Sequence, residues 1–451
     1  MSMHQQLAKR AAENRPIRVG LIGAGKFGSM YLAQVPRTPG VHLVAIADLS
    51  PSGVARNLAR VGWEPQRAQA ASIDEAVRLG TTHVGEDWYA LVRHPAIDIV
   101  VECTGHPIAA VEHCLAAFSQ RKHVVNVTVE ADAFCGPLLA RKAADAGVQY
   151  SLAFGDQPAL ICDLVDWART CGFPVVAAGR GHKWQPHYAQ STPETVWGYY
   201  GLTPEQAERG GLNPKMFNSF LDGSKPSIEC TAVANATGLT VPADGLAYPA
   251  GSIADIPNLT RPREHGGLLE RRGMVEVISS LDAQGQPIDY DIRMGVWVTV
   301  EGETEYVRNC FEEYNARTDS TGRYFTLYKR WHLIGLEVGY SVASLALRHE
   351  PTGAATCWNA DVVATAKRDL VPGEMLDGEG GCTVWGKLTP AERSVRAGGL
   401  PLGLAHDIRV VRPVRQGQSL TWDDVAVDTT TRAYAIRREL EALMFPTLRT
   451  R

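Results

Sequence analysis

Residues 17–28 read Ile-Arg-Val-Gly-Leu-Ile-Gly-Ala-Gly-Lys-Phe-Gly, an apolar run that passes straight into Gly-x-Gly-x-x-Gly at Gly23, Gly25 and Gly28. A strand must end there in a tight turn, a helix must begin beside it, and the turn must stay bare enough for a ligand to reach the backbone. Gly23 is the expected turn residue, Gly25 the point of approach and Gly28 the contact between helix and strand. The free N–H groups of the helix start suit a pyrophosphate. The context agrees: Ser29–Val35 is helix-competent, and a second apolar run, His42–Ala47, ends in Asp48. That aspartate stands twenty residues beyond Gly28, where a carboxylate can accept the hydroxyls of an adenosine ribose. A nicotinamide dinucleotide site follows, with Lys26 and Phe27 inside its loop. Thr104, Gly105 and Glu130, at later strand ends, are assigned to the same site. A carboxylate at Asp48 repels a 2′-phosphate, so NAD is favoured over NADP.

At 451 residues the chain exceeds one ordinary core, so two or three domains are expected. The net charge of −4, with no long basic run, argues against nucleic acid or an anionic membrane as partner. Residues 1–15 are polar and lack the apolar centre of a signal peptide, and no apolar stretch reaches membrane-spanning length. The nine cysteines form no Cys-x-x-Cys pair, which fits a reducing cytoplasm and no cysteine zinc site.

The first third alternates strand and helix signals. Thr81–Val84, Ile97–Cys103, Lys122–Val129 and Val148–Ala153 read as the third to sixth strands, so an α/β doubly wound parallel sheet of the Rossmann type is expected over residues 1–155. Residues 156–350 mix strands and helices and read as an α+β catalytic or substrate domain. Its apolar helix His332–Leu347 is expected to return to the first domain. Residues 351–451 are dominated by short strands with glycine turns, a small β-rich domain, closed by a helix at Tyr434–Met444.

Several polar groups fall at strand or helix ends. Asp156, in Gly155-Asp156-Gln157-Pro158, reads as an acid/base or hydroxyl partner, with helix capping as the plainer alternative. Arg180, His182 and Lys183 follow a strand whose glycines keep the backbone open, which suits an anionic substrate or a developing oxyanion. Lys225, with Asp222 and Ser224, opens a probable helix where amides and an ammonium could seat a phosphate. Glu229 lies four residues on, at the spacing of an ordinary helical ion pair with Lys225. His332 can carry a proton near neutral pH. No His-x-x-x-His or His-Glu-x-x-His pattern occurs and no metal ligands are assigned, although Asp156 and Glu229 leave a hard divalent-metal site open.

Together, Tyr150–Pro158, Phe220–Leu239, Gly266–Leu269, Tyr324–Thr326 with His332-Leu333, and Ala366–Gly373 resemble the 1-deoxyxylulose-5-phosphate reductoisomerase-like oxidoreductases. The resemblance runs from about Pro16 to Val427. It implies a homoserine-dehydrogenase-like Rossmann domain, an α+β catalytic domain and a C-terminal SAF-type β domain. It further implies a homodimer that isomerises and reduces a phosphorylated ketose with NADPH. Two positions depart from the family. Asp48 stands where NADPH users tend to carry arginine, and Gln157 replaces the glutamate of Gly-Asp-Glu-Pro. The activity expected is an NAD(P)-dependent oxidoreductase, with a possible coupled isomerisation, acting on a small polyhydroxylated carbonyl compound. A plain homoserine-dehydrogenase-like dehydrogenase and a non-catalytic dinucleotide- or sugar-acid-binding protein are the alternatives.

Overall fold

The computed structural model describes residues 1–448. The chain forms two compact units, one of residues 1–160 with 332–355, the other of residues 161–331 with those from Thr356 on.

The first unit is built on six parallel strands: β1 (Ile17–Ile22), β2 (Val41–Ala47), β3 (His83–Gly85), β4 (Ile99–Glu102), β5 (His123–Asn126) and β6 (Tyr150–Leu152), in the order β3-β2-β1-β4-β5-β6. Both faces are covered, so the central strands are largely apolar rather than alternating; β4 is buried at every position. Val19, Leu21, Ile46, Val101 and Val125 share one core with Leu32 and Val54 of the intervening helices. Val338, Val342 and Leu345, from the late helix Val338–Arg348, complete that core. The strand order reverses between β1 and β4, the switch point at which such sheets take ligands.

The second unit has a mixed sheet of β7 (Val175–His182), β8 (Met274–Ser279), β9 (Val296–Glu301) and β10 (Tyr324–Lys329), in the order β10-β9-β7-β8. Among neighbouring pairs only β7 and β8 are parallel. Two antiparallel pairs follow, β11 (Ala360–Ala366) with β13 (Val384–Pro390), and β12 (Met375–Asp377) with β14 (His406–Arg409). The helix Ser224–Thr237 is buried from Ser224 through Asn235 and contacts β7, β8, β11 and β13. Its end is tied down by Asn235, whose Oδ1 accepts the N–H groups of Asn359 and Ala360 at 2.8 and 2.9 Å. Arg437 of the helix Arg432–Met444 meets buried Asp361 of β11, with Nη1 to Oδ1 at 3.0 Å.

Several element boundaries differ from the sequence reading. The fifth strand stops at Asn126, because Thr128 already opens the helix Val129–Asp145. The sixth shortens to Tyr150–Leu152. The late helix begins at Val338 rather than His332, since Gly335 takes φ +77° and a β-carbon there would stand 2.8 Å from the Phe27 carbonyl oxygen. Among the described residues no helix is long and apolar enough to cross a membrane.

Candidate functional site

The glycine loop has the shape its spacing requires. Gly23 sits at φ +90°, and a β-carbon there would lie 2.7 Å from the Cys103 carbonyl oxygen. At Gly28 a β-carbon would lie 2.6 Å from the Gly23 carbonyl oxygen, so helix and turn touch through the missing side chain. Gly25 is exposed, and nothing lies within 4 Å of its β-carbon position. The first and third glycines are therefore demanded by the protein itself, while the second faces open space. Gly25 is also the N-cap of the helix Lys26–Gln34 and has no side chain to cover the amides behind it. This cradle fits a dinucleotide pyrophosphate. Lys26 is exposed and Phe27 half-buried at its rim.

Asp48, at the end of β2, is fixed in place. Its Oδ2 accepts the Ala24 N–H at 2.8 Å and its Oδ1 the Ser50 N–H at 2.8 Å. The carboxylate thus braces the glycine turn, and each oxygen keeps acceptor capacity for a ribose hydroxyl. Thr104 and Gly105 lie exposed beyond β4. The Gly105 N–H donates to Thr128 Oγ1 at 2.9 Å, joining the loops after β4 and β5. Glu130 lies half-buried in the first turn of the helix Val129–Asp145. Burial, with the Glu102 and Glu130 charges, raises the Cys103 thiol far above its ordinary range, so this cysteine is an inert thiol.

Asp156 and His332 belong to this same unit. Asp156 is buried, and its Oδ1 accepts the Gln157 N–H at 2.9 Å at the start of the helix Gln157–Thr170. Beside it, the Gln157 Nε2 is buried with no hydrogen-bond partner. His332 is half-buried in the loop before Val338. That loop reaches the neighbourhood of Asp156, since a β-carbon on Gly155 would lie 3.0 Å from the Leu333 carbonyl oxygen.

The other five candidates belong to the second unit. Arg180 and His182 are buried at the end of β7, and Lys183 follows them. Lys225 and Glu229 are buried in the helix Ser224–Thr237. Glu229 does not pair with Lys225 in the way helical spacing suggested; it binds Arg180 from the sheet. The reason is burial: both groups lie out of water, and a charge there requires a close counter-ion. Arg180 therefore comes with its charge already matched. His182 is held well below its ordinary pKa by burial and by the Arg180 cation, so its ring is neutral; its Nε2 has no partner. Lys183 donates to the Tyr199 carbonyl at 2.6 Å and lies 5.7 Å from the Tyr200 ring centre. Burial and the Arg293 cation lower its pKa, which makes it a readier proton donor and acceptor.

Asp222 serves the fold. It is buried, accepts the Ser224 N–H at 2.8 Å, and meets Lys367 at 2.7 Å. Lys367 is satisfied further by the carbonyls of Ser191 and Gly381. Gly223 precedes the helix at φ +88°, and a β-carbon there would stand 2.9 Å from Trp184 and 3.2 Å from the Tyr248 hydroxyl. Trp184 and Tyr248 stack at 4.2 Å, forming an aromatic wall beside the helix start.

Several buried polar groups lie outside the residues assigned to the site from sequence. Glu102 ends β4 fully buried, accepting from Thr104 Oγ1 at 2.6 Å and contacting His113 Nδ1 at 3.2 Å. Behind the loop after β5, Asn126 donates to the Tyr150 hydroxyl, which donates to Asp132 at 3.1 Å. Burial raises the Asp132 carboxyl to about 7, and its Oδ1 has no partner. Burial likewise raises Glu276 of β8 to about 7, although it accepts the N–H groups of Ala247, Tyr248 and Val277. It thereby holds the Tyr248 segment. Tyr248 itself could have been found only from its approach to Gly223, which no local pattern encodes. Among the described residues no group of three or more His, Cys, Asp or Glu side chains is arranged to hold a metal ion.

Residues 23–152 match the family described as homoserine dehydrogenase, NAD binding domain. Residues 155–338 match the one described as oxidoreductase DRL, catalytic domain. The first segment is thus similar to a dinucleotide-binding domain and the second to an oxidoreductase catalytic domain. No curated protein matches it. Among solved structures it is similar to an NAD binding oxidoreductase from Klebsiella pneumoniae, at 20% identity over 39% of this chain and 47% of that one, with a TM-score of 0.28. The chain thus spans about half the length of that relative. A probable dehydrogenase from Thermotoga maritima aligns at 15% identity over 74% of this chain and 90% of its own, with a TM-score of 0.36. DOX-P reductoisomerase in complex with magnesium aligns at 15% identity over 48% and 56%, with a TM-score of 0.31. At these scores the likenesses carry no argument about substrate or mechanism.

Proposed function

We propose that the chain is an NAD(P)-dependent oxidoreductase that prefers NAD to NADP and acts on a small polyhydroxylated carbonyl compound that carries an anionic group. The observation behind the cofactor preference is Asp48, whose carboxylate is pinned by Ala24 and Ser50 at the end of β2. A 2′-phosphate would meet that fixed charge, whereas ribose hydroxyls would donate to it. Calorimetry should find NAD bound more tightly than NADP, and Asp48→Ser should narrow or reverse the difference. Tighter NADP binding by the unaltered chain would overturn this reading.

The bound dinucleotide supplies or accepts hydride at its nicotinamide. The chain's own groups then have separable tasks. Lys183, with its lowered pKa, handles the proton at the carbonyl oxygen. His182, neutral and with a partnerless Nε2, is suited to a substrate hydroxyl. Lys225 and Arg293 add positive charge for the anionic group, while Arg180, matched by Glu229, holds the end of β7 in place. For the first unit taken by itself, Asp156, Gln157 and His332 are the candidate proton and hydroxyl groups. The isomerisation implied by the family resemblance is the finer possibility, and product analysis with a labelled ketose separates it from simple reduction. The same resemblance supports a homodimer and a SAF-type reading of residues 361–427.

A further inference from the structure

At the edge of the parallel sheet opposite the glycine loop, where β1 and β2 begin, a cavity of about 500 Å³ opens. That size suits a small metabolite. Arg18, Arg67 and Arg78 all line it, and among the described residues no aspartate or glutamate does. Nearby carboxylates only partly answer these charges. Asp98 accepts the backbone N–H of Arg18 at 2.9 Å, and Glu75 meets Arg78 at 3.4 Å in an exposed pair. The Arg18 Nε is buried without a hydrogen-bond partner, a costly state for a guanidinium.

The neutral parts of the wall are fixed. His42 Nε2 donates to the Thr81 carbonyl at 2.7 Å, leaving Nδ1 with a lone pair. The Trp63 indole donates to the Leu32 carbonyl at 2.7 Å, and the Arg67 guanidinium lies 5.5 Å from its ring centre. Three arginines lining one preformed hollow with no carboxylate among its described lining residues favour an anion there. Their planar forks match the oxygens of phosphate or carboxylate.

We propose that this cavity is a second small-molecule site, which takes a compact oxyanion of two or more negative charges, a phosphate compound or a polycarboxylate. It is separate from the dinucleotide cradle. The two lie at opposite ends of β1, whose six residues at about 3.3 Å each place them roughly 20 Å apart.

The test titrates the full-length chain, saturated with NAD so that the glycine loop is filled, with inorganic pyrophosphate and with citrate in a calorimeter. One equivalent of at least one anion should bind. Pyrophosphate alone would mark a phosphate site, and citrate alone a polycarboxylate site. Arg67 and Arg78 are exposed, so Arg67→Gln and Arg78→Gln should leave the melting temperature and NAD affinity unchanged. Each should weaken the anion by about tenfold, with a further loss as salt rises. The proposal falls if neither anion binds at about 10 mM, or if the double variant binds as well as the unaltered chain.

Discussion

Gly25 and Gly28 are the same residue type in one loop and fail in different ways. A side chain at Gly28 strikes the Gly23 carbonyl at 2.6 Å, so Gly28→Val should destabilise the first unit itself. A side chain at Gly25 enters open space, so Gly25→Val should melt close to the unaltered chain yet lose NAD binding in calorimetry. Asp132 offers a test of a different kind. Its folded pKa, about 7, lies above the ordinary 3.8, so the native state holds a proton that the unfolded chain releases first. Asp132 therefore costs no stability below about pH 4 and costs progressively more from there to about pH 7, where the cost levels off. Asp132→Asn removes that titration. In urea unfolding, the variant should gain on the unaltered chain between pH 4.5 and pH 8, by on the order of 3 kcal/mol. A difference independent of pH would show that Asp132 holds no proton in the folded state. Glu276 titrates in the same sense, so some slope should persist in the variant. Lys183→Met should cut turnover by about 100-fold with NAD affinity unchanged. Near-normal turnover would remove Lys183 from the proton path.

The helix Ser224–Thr237 shows what becomes of charged residues in an element buried on all sides. Glu229 could not stay ionised there without Arg180, and the pair joins the helix to β7. Glu229→Gln removes the carboxylate charge that Arg180 meets and should cost about 3–5 kcal/mol in denaturant unfolding. A double change to Arg180→Met and Glu229→Leu should recover much of that loss; additive losses would show that the pair is not coupled. Local sequence pointed to Lys225 as the partner of Glu229 because four residues separate them. The actual partner is forty-nine residues distant and visible only in the fold. The parallel strands were easier to read. A strand covered on both faces is one apolar run, and the Gly-x-Gly-x-x-Gly turn fixes where the first ends. The start of the late helix was missed because Val338–Arg348 and the loop before it are similarly apolar, while the reason for the break is the approach of Gly335 to Phe27 and Met30. Asp132, Tyr150 and Tyr248 were not legible as a network. Each contact joins elements separated in sequence.

For the whole molecule, the β-rich residues from Thr356 on share a unit with residues 161–331, and their strands cover the buried helix Ser224–Thr237. Ending the chain after Ala355 uncovers that helix. The second unit should then lose its cooperative melting transition, while residues 1–160 with 332–355 retain NAD binding. A truncated chain that keeps both transitions would contradict this dependence.

The late helix Val338–Arg348 also has a consequence for synthesis. Its Val338, Val342 and Leu345 pack in the same core as Val19 and Leu21, which are made more than three hundred residues earlier. The dinucleotide-binding unit, although it begins near the N-terminus, cannot close as that end leaves the ribosome. It must wait, with part of its apolar interior uncovered, while the whole of residues 161–331 is translated. A nascent chain halted before residue 332 should therefore be cut readily by protease within the first 160 residues, and become resistant only once residue 355 has cleared the exit tunnel. The order of translation and the order of folding run apart.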